Sequence, residues 1–172
     1  MILGILQQFI RFLLLTAIQV VILNNVQLGT FINPFLYVLF LLTLPVNMPR
    51  LALLPIAMVT GLVIDMFQNT PGMHASACLV MAYMRPGWLK MIAPRDGYES
   101  DAVPGIHKFG FPWFMAYASL MVVTHHMVLF FIEVFRFSEF SDTFVRVLLS
   151  SILTLLLIII AQYLTARPRN AS

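Results

Sequence analysis

Five side chains that can hold or pass a proton sit in or beside hydrophobic runs: Asp65, His74, His125, His126 and Glu133. Asp65 closes the apolar stretch 51–67 and is followed by Gln68-Asn69-Thr70-Pro71-Gly72-Met73-His74. A carboxylate at the end of a membrane-length helix costs several kcal/mol unless it is paired, protonated or near water. His126 and Glu133 are seven residues apart, which puts them on one helical face about 10 Å from each other. Asp65, His126, Glu133 and His74 could then form a buried polar cluster that relays protons or ions. The structural alternative is that Asp65 caps the turn after its own helix and pairs with His126, fixing how the third and fifth hydrophobic helices pack. The structural reading is preferred, because six helices with one such cluster make a poor transporter. His125 and His126 diverge by about 100° around a helix, so no metal site is expected, nor any cofactor.

The elements that must position these groups are apolar. The 172 residues are 60% hydrophobic and 10% charged, with a mean hydropathy of +0.92, whereas soluble domains carry about 25% charged residues. An integral membrane protein follows, with a single transmembrane domain over residues 1–172. The net charge of +3 does not point to nucleic acid, since the basic residues are scattered between apolar runs like topology determinants. Cys78, the only cysteine, has no disulfide partner. The N-terminal run imitates a signal peptide but lacks a small-residue cleavage site, and is expected to be retained.

Six hydrophobic runs stand out, at about 5–23, 30–45, 51–67, 73–90, 111–135 and 144–166. The first, fifth and sixth reach the length of about 20 residues that crosses a bilayer. The middle three are shorter and broken by Pro34, Pro45, Pro55 and Gly61, which places them inside the bundle, where protein satisfies the freed backbone groups. Period-2 alternation over strand-length segments is missing, so a β-barrel is not expected. On the six-helix reading, Arg11, Arg50, Arg85, Lys90, Arg95, Lys108, Arg167 and Arg169 share one side, and Arg136 and Arg146 the other. Cationic loops are cytoplasmic, so both termini are expected in the cytoplasm. Asp65 and the turns 24–31 and 68–74 then face outward, and the loop 91–110 is an ordered but irregular cytoplasmic connector.

Pro71-Gly72 predicts a type II turn, flanked by Asn69 and Thr70; these four residues are either a connector or an outer rim that touches a partner. Gly61 and the small run Ala75-Ser76-Ala77-Cys78 predict close helix approach, with the fourth helix central. Ser150-Ser151 read as packing or backbone-bonding groups. Trp88 and Trp113 read as interfacial anchors. The terminal Asn170-Ala171-Ser172 matches a glycosylation acceptor by chance on the cytoplasmic side. Phosphate loops, His-Glu-x-x-His pairs and nucleophile–base pairs are missing, so no enzyme is expected.

Together, Asn33-Pro34-Phe35-Leu36-Tyr37, Leu44-Pro45, Gly61-Leu62-Val63-Ile64-Asp65-Met66-Phe67, Asn69-Thr70-Pro71-Gly72-Met73-His74-Ala75 and Arg85-Pro86 resemble the bacterial rod shape-determining MreD family. The specific part of the resemblance covers residues 24–86; the second half is similar only in hydropathy and span count. The resemblance implies an all-α, six-helix bundle in the bacterial inner membrane, similar in fold to the substrate-binding subunit of energy-coupling-factor transporters. It also implies a noncatalytic scaffold of the cell-elongation, peptidoglycan-synthesising complex. Such a scaffold binds an MreC-like single-span partner, in an assembly with RodA, a transpeptidase and MreB.

The alternative is a small-molecule-binding membrane subunit of a transporter, with Asp65, His74 and the outer turns forming its pocket. A scaffold should expose an apolar, small-residue stripe to lipid, and a transport subunit should enclose an outer cavity lined by several polar side chains. The sequence favours the scaffold, because the outer loops are short and carry few hydrogen-bonding groups.

Overall fold

A computed structural model describes residues 2–26, 29, 32–100, 102–134 and 140–165. Its helices are α1 (Ile2–Val21), α2 (Val38–Leu42), α3 (Arg50–Gln68), α4 (Met73–Met91), α5 (Ile106–Phe109), α6 (Phe111–Val134) and α7 (Phe140–Leu164), with a 3₁₀ turn at Leu23–Asn25. Among the described residues there is no strand. Four helical segments are long and apolar enough to cross a membrane: Leu6–Asn25, Arg50–Gln68, Phe111–Val134 and Phe140–Leu164. Helix α4, with 19 residues, is as long as α3 but less apolar, because it carries His74, Arg85 and Lys90.

Helix α4 packs against α3 on one side and α6 on the other, and α7 packs on α6. The small side chains of α4 make this possible. A Cβ on Gly61 of α3 would overlap the backbone of His74 and Ala75, and Ala75, Ala77 and Cys78 are buried. Ser76 turns its hydroxyl back to the Gly72 carbonyl at 2.7 Å. Pairing across the bundle fixes helix direction: His74 lies by His125 and Arg85 by Tyr117, while His126 lies by Thr154 and Glu133 by Arg146. Helices α4 and α6 are therefore antiparallel, as are α6 and α7. The bundle has a His74 end and an Arg85 end. Gln162 near the end of α7 accepts from the Ile106 amide at the Arg85 end.

The run 30–45 departs from the expected full-length helix. Only Val38–Leu42 is α-helical, and residues 32–35 carry no regular structure. Pro34 removes an amide hydrogen, and a proline also disfavours helical geometry in the residue before it. The segment still lies inside the bundle, with Phe35 through Leu44 buried. It runs antiparallel to α1: Gln19 Nε2 donates to the Pro34 carbonyl at 3.1 Å, and Gln8 Nε2 to the Thr43 carbonyl at 3.3 Å. Residues 8 to 19 of α1 rise about 16 Å at 1.5 Å each. The segment matches that height in fewer residues, because extended backbone rises about 3.3 Å per residue.

Extended backbone in an apolar interior needs partners for its amides. Helix α7 supplies them. The Asn33 amide donates to Ser150 Oγ at 3.0 Å and the Phe35 amide to Thr154 Oγ1 at 3.1 Å. Four helical residues rise about 6 Å and two extended residues about 6.6 Å, so hydroxyls at i and i+4 meet amides at i and i+2. At the other end of the segment, the carbonyls left open after α2 meet Arg85. Its Nη2 donates to the Leu44 carbonyl at 2.5 Å, Nη1 to the Pro45 carbonyl at 3.2 Å and Nε to the Tyr117 hydroxyl at 2.7 Å. Tyr117 in turn donates to the Leu42 carbonyl at 3.1 Å. Arg85, expected as a loop cation, is thus buried within α4 and leaves the topology tally. Arg136, Arg167 and Arg169 of that tally, and the Asn170-Ala171-Ser172 acceptor, lie outside the described residues.

In the connector 91–110, the Val46 amide donates to the Ala102 carbonyl at 2.8 Å. Trp113 Nε1 donates to the Ile92 carbonyl at 2.8 Å, beyond the end of α4.

Candidate functional site

Asp65 sits in the last turn of α3 and is 4% exposed. Gly72 takes φ +83°, and the Met73 amide donates to the Thr70 carbonyl at 3.2 Å, the geometry of a type II turn around Pro71-Gly72. Asn69 ends α3 in the left-handed region at φ 54°, which asparagine tolerates better than most residues. This tight reversal swings the start of α4 onto the Asp65 carboxylate. Oδ1 accepts from the His74 amide and the Thr70 hydroxyl, each at 2.9 Å, and Oδ2 accepts from the Ala75 amide at 3.0 Å. The charge therefore caps the open amides of α4 and faces the positive end of its dipole.

The expected Asp65–His126 pair does not form. His126 points its Nδ1 at the Val122 carbonyl, 2.8 Å away. A carbonyl only accepts, so Nδ1 carries a proton, and Nε2 lies 3.2 Å from Thr154 Oγ1. Glu133 is drawn off by Arg146, whose Nη1 lies 3.1 Å from Oε1. Of the four expected cluster members, only Asp65 and His74 meet, and they do so through the His74 main chain. Asp65 thus joins α3 to α4 rather than to the fifth long helix.

A different polar chain runs inward from His74. Its Nε2 is 3.0 Å from Gln68 Oε1, and Gln68 Nε2 donates to Asn24 Oδ1 at 2.9 Å. The amide oxygen is an acceptor, so His74 Nε2 carries the proton and Nδ1 accepts from the Tyr37 hydroxyl at 3.0 Å. Tyr37 has spent its one donor, so His125 Nε2, 2.7 Å away, donates to it. His125 Nδ1 is then a bare acceptor, buried with no partner. Phe35 stands edge-on to His74 and His125, at centroid distances of 5.0 and 5.9 Å. The hydrogen bonds of this chain can all form between neutral side chains, with His125 Nδ1 left over at its end.

The chain opens into a polar cavity of about 390 Å³ at the His74 end. Gln19, Asn24, Asn33 and Gln68 bring side-chain amides to its wall, and Glu133 and Arg146 bring an ion pair. With the Asn33 amide turned to accept, its Oδ1 takes Arg146 Nε and Nη2 at 3.2 and 3.0 Å. Arg146 also lies 4.3 Å above the Phe130 ring. Gln19 donates to Asn24 Oδ1 at 3.0 Å, yet its own Oε1 is buried with no partner. The expectation of few hydrogen-bonding groups concerned the outer loops and left out the helices. The polar lining comes from α1, the broken segment, α6 and α7 as well as from the turns.

Sequence reasoning missed Gln19, Tyr37, Thr154 and the interior role of Arg85. The signal for Gln19 was a glutamine in an otherwise apolar first helix. Ser150 and Thr154 were visible as hydroxyls four residues apart on an apolar helix. Among the described residues no three His, Cys, Asp or Glu side chains are grouped to hold a metal.

Fold and site together define an all-α protein with four helices long and apolar enough to cross a membrane and a polar core at one end. No protein-family model, no curated protein and no solved structure matches the chain.

Proposed function

We propose that the chain is a noncatalytic membrane scaffold of a bacterial cell-elongation complex, similar to the MreD family, and that it binds a single-span MreC-like partner. The observation that carries this reading is a lateral apolar groove between α1 and α3, of about 890 Å³. Gly4, Phe9 and Phe12 of α1 form one wall, Pro55 and Val59 of α3 the other, and Phe40 the floor. Only 11% of the apolar window of the first span is buried, so α1 has most of its surface left for a neighbour. Helices associate in lipid through close packing against small residues and shape, and Gly4 beside two phenylalanines offers both.

The broken segment crosses between α1 and α3, which makes six crossings in the inner membrane. The start of α1 and the end of α7 then share a side. Lys90, Arg95 and Lys108 lie in or beside the connector at the Arg85 end, which favours that end as cytoplasmic. The family resemblance implies a fold similar to the substrate-binding subunit of energy-coupling-factor transporters; a likeness of fold carries no substrate with it. RodA, a transpeptidase and MreB enter as members of the larger assembly on the strength of the family resemblance.

A photo-crosslinking residue at Val59, 55% exposed in the groove, tests the reading against one at Leu156, 53% exposed on α7. In native membranes Val59 should capture a protein with one apolar span and Leu156 should not. Lipid adducts alone at Val59, or capture only at Leu156, would contradict it. A second reading, a small-molecule-binding membrane subunit, is favoured by one observation: the polar cavity at the His74 end.

A further inference from the structure

We infer that the cavity at the His74 end is a binding site for a neutral, polyhydroxylated ligand such as a saccharide unit. The inference rests on the second reading above and names its ligand class. Four observations carry it.

The volume, about 390 Å³, lies within the range of about 300–1,000 Å³ that small-molecule sites occupy. The wall is neutral in sum: Glu133 is paired with Arg146, and Arg146 is tied to Asn33 as well. No fixed charge is left over to hold an anion or a cation. The remaining polar lining is mostly amides, from Gln19, Asn24, Asn25, Asn33 and Gln68, with the Thr70 hydroxyl and the His74 ring beside them, so donors and acceptors are both present.

The decisive atom is Gln19 Oε1. Gln19 is 1% exposed, its nitrogen is held by Asn24 and Pro34, and its oxygen has no donor. A buried acceptor without a protein partner costs about 1–3 kcal/mol, so a donor arriving from the cavity that Gln19 lines would be favoured there. A hydroxyl supplies that donor and accepts from a neighbouring amide through its own oxygen, which suits a wall rich in amides. Phe35 and Phe67 add apolar faces to the lining for the C–H surface of such a ring. An ionised carboxylate would meet Gln19 Oε1 with a second acceptor and leave it unpaired.

The test uses the full chain in lipid nanodiscs and isothermal titration with three probes: N-acetylglucosamine, serine and inorganic phosphate. N-acetylglucosamine should bind. Gln19→Leu should weaken that binding roughly tenfold, the loss of one hydrogen bond, and Asn24→Ala, at an exposed wall position, should weaken it measurably while leaving the fold intact. Binding of serine or phosphate alone overturns the ligand class but leaves a small-molecule site standing. Binding of none overturns both. Sugar binding indifferent to Asn24→Ala and Gln19→Leu places the sugar elsewhere and overturns the site.

Discussion

Asp65 acts as the cap of a helix it does not belong to. Two amides and a hydroxyl point at its oxygens, and each open amide in an apolar interior costs about 1–3 kcal/mol. Asp65→Leu should lower stability by about 2 kcal/mol or more, read as a fall in the thermal unfolding midpoint in detergent. Asp65→Asn keeps an acceptor and should cost less than half as much. Equal losses in the two variants would show that charge rather than capping matters. Arg85 is the second residue on which the interior depends. Its three described acceptors are neutral, and a lysine cannot reach all of them in a fixed fork. Arg85→Lys should therefore destabilise by about 2 kcal/mol, and a variant as stable as the parent would remove Arg85 from this role.

At the scale of elements, the broken segment is held by groups on its neighbours more than by its own helix. Thr154→Val removes the acceptor of the Phe35 amide and the hydroxyl partner of His126 together, and should cost about 2–3 kcal/mol. Faster hydrogen exchange at Phe35 and Val38 would report the same loss locally; unchanged exchange there would contradict it. Gly61→Leu should separate α3 from α4 and prevent stable folding, because its side chain would start inside the Ala75 backbone. Normal yield and unfolding temperature for that variant would show that the two helices do not meet there. Much of this was legible in the chain: the span 73–90 against α4, the Pro71-Gly72 turn, and the closeness implied by Gly61 and Ala75. The run 30–45 was not. Hydropathy reports burial, and this run is buried; whether the backbone is helical or extended depended on Ser150 and Thr154, more than a hundred residues away.

For the whole molecule, the same long-range dependence explains which site contacts were legible. Spacing along one helix put His126 and Glu133 on a common face, but their partners, Thr154 and Arg146, came from α7, whose orientation no local pattern encodes. The pocket expected around Asp65, His74 and the outer turns was incomplete for the same reason, since the cavity's amides come from α1 and the broken segment as much as from the turns. Two faces therefore define the molecule, a lateral apolar groove and a polar cavity at one end. The scaffold reading gives the groove to a partner's membrane span. The measurement that tests it most directly is purification of the tagged chain from its native membranes in mild detergent, with everything bound identified by mass spectrometry. A stoichiometric single-span protein should be recovered, and it should be lost from the Val59→Trp variant while the chain stays folded. A chain that emerges without any protein partner, or one whose partner is indifferent to Val59→Trp, would contradict it.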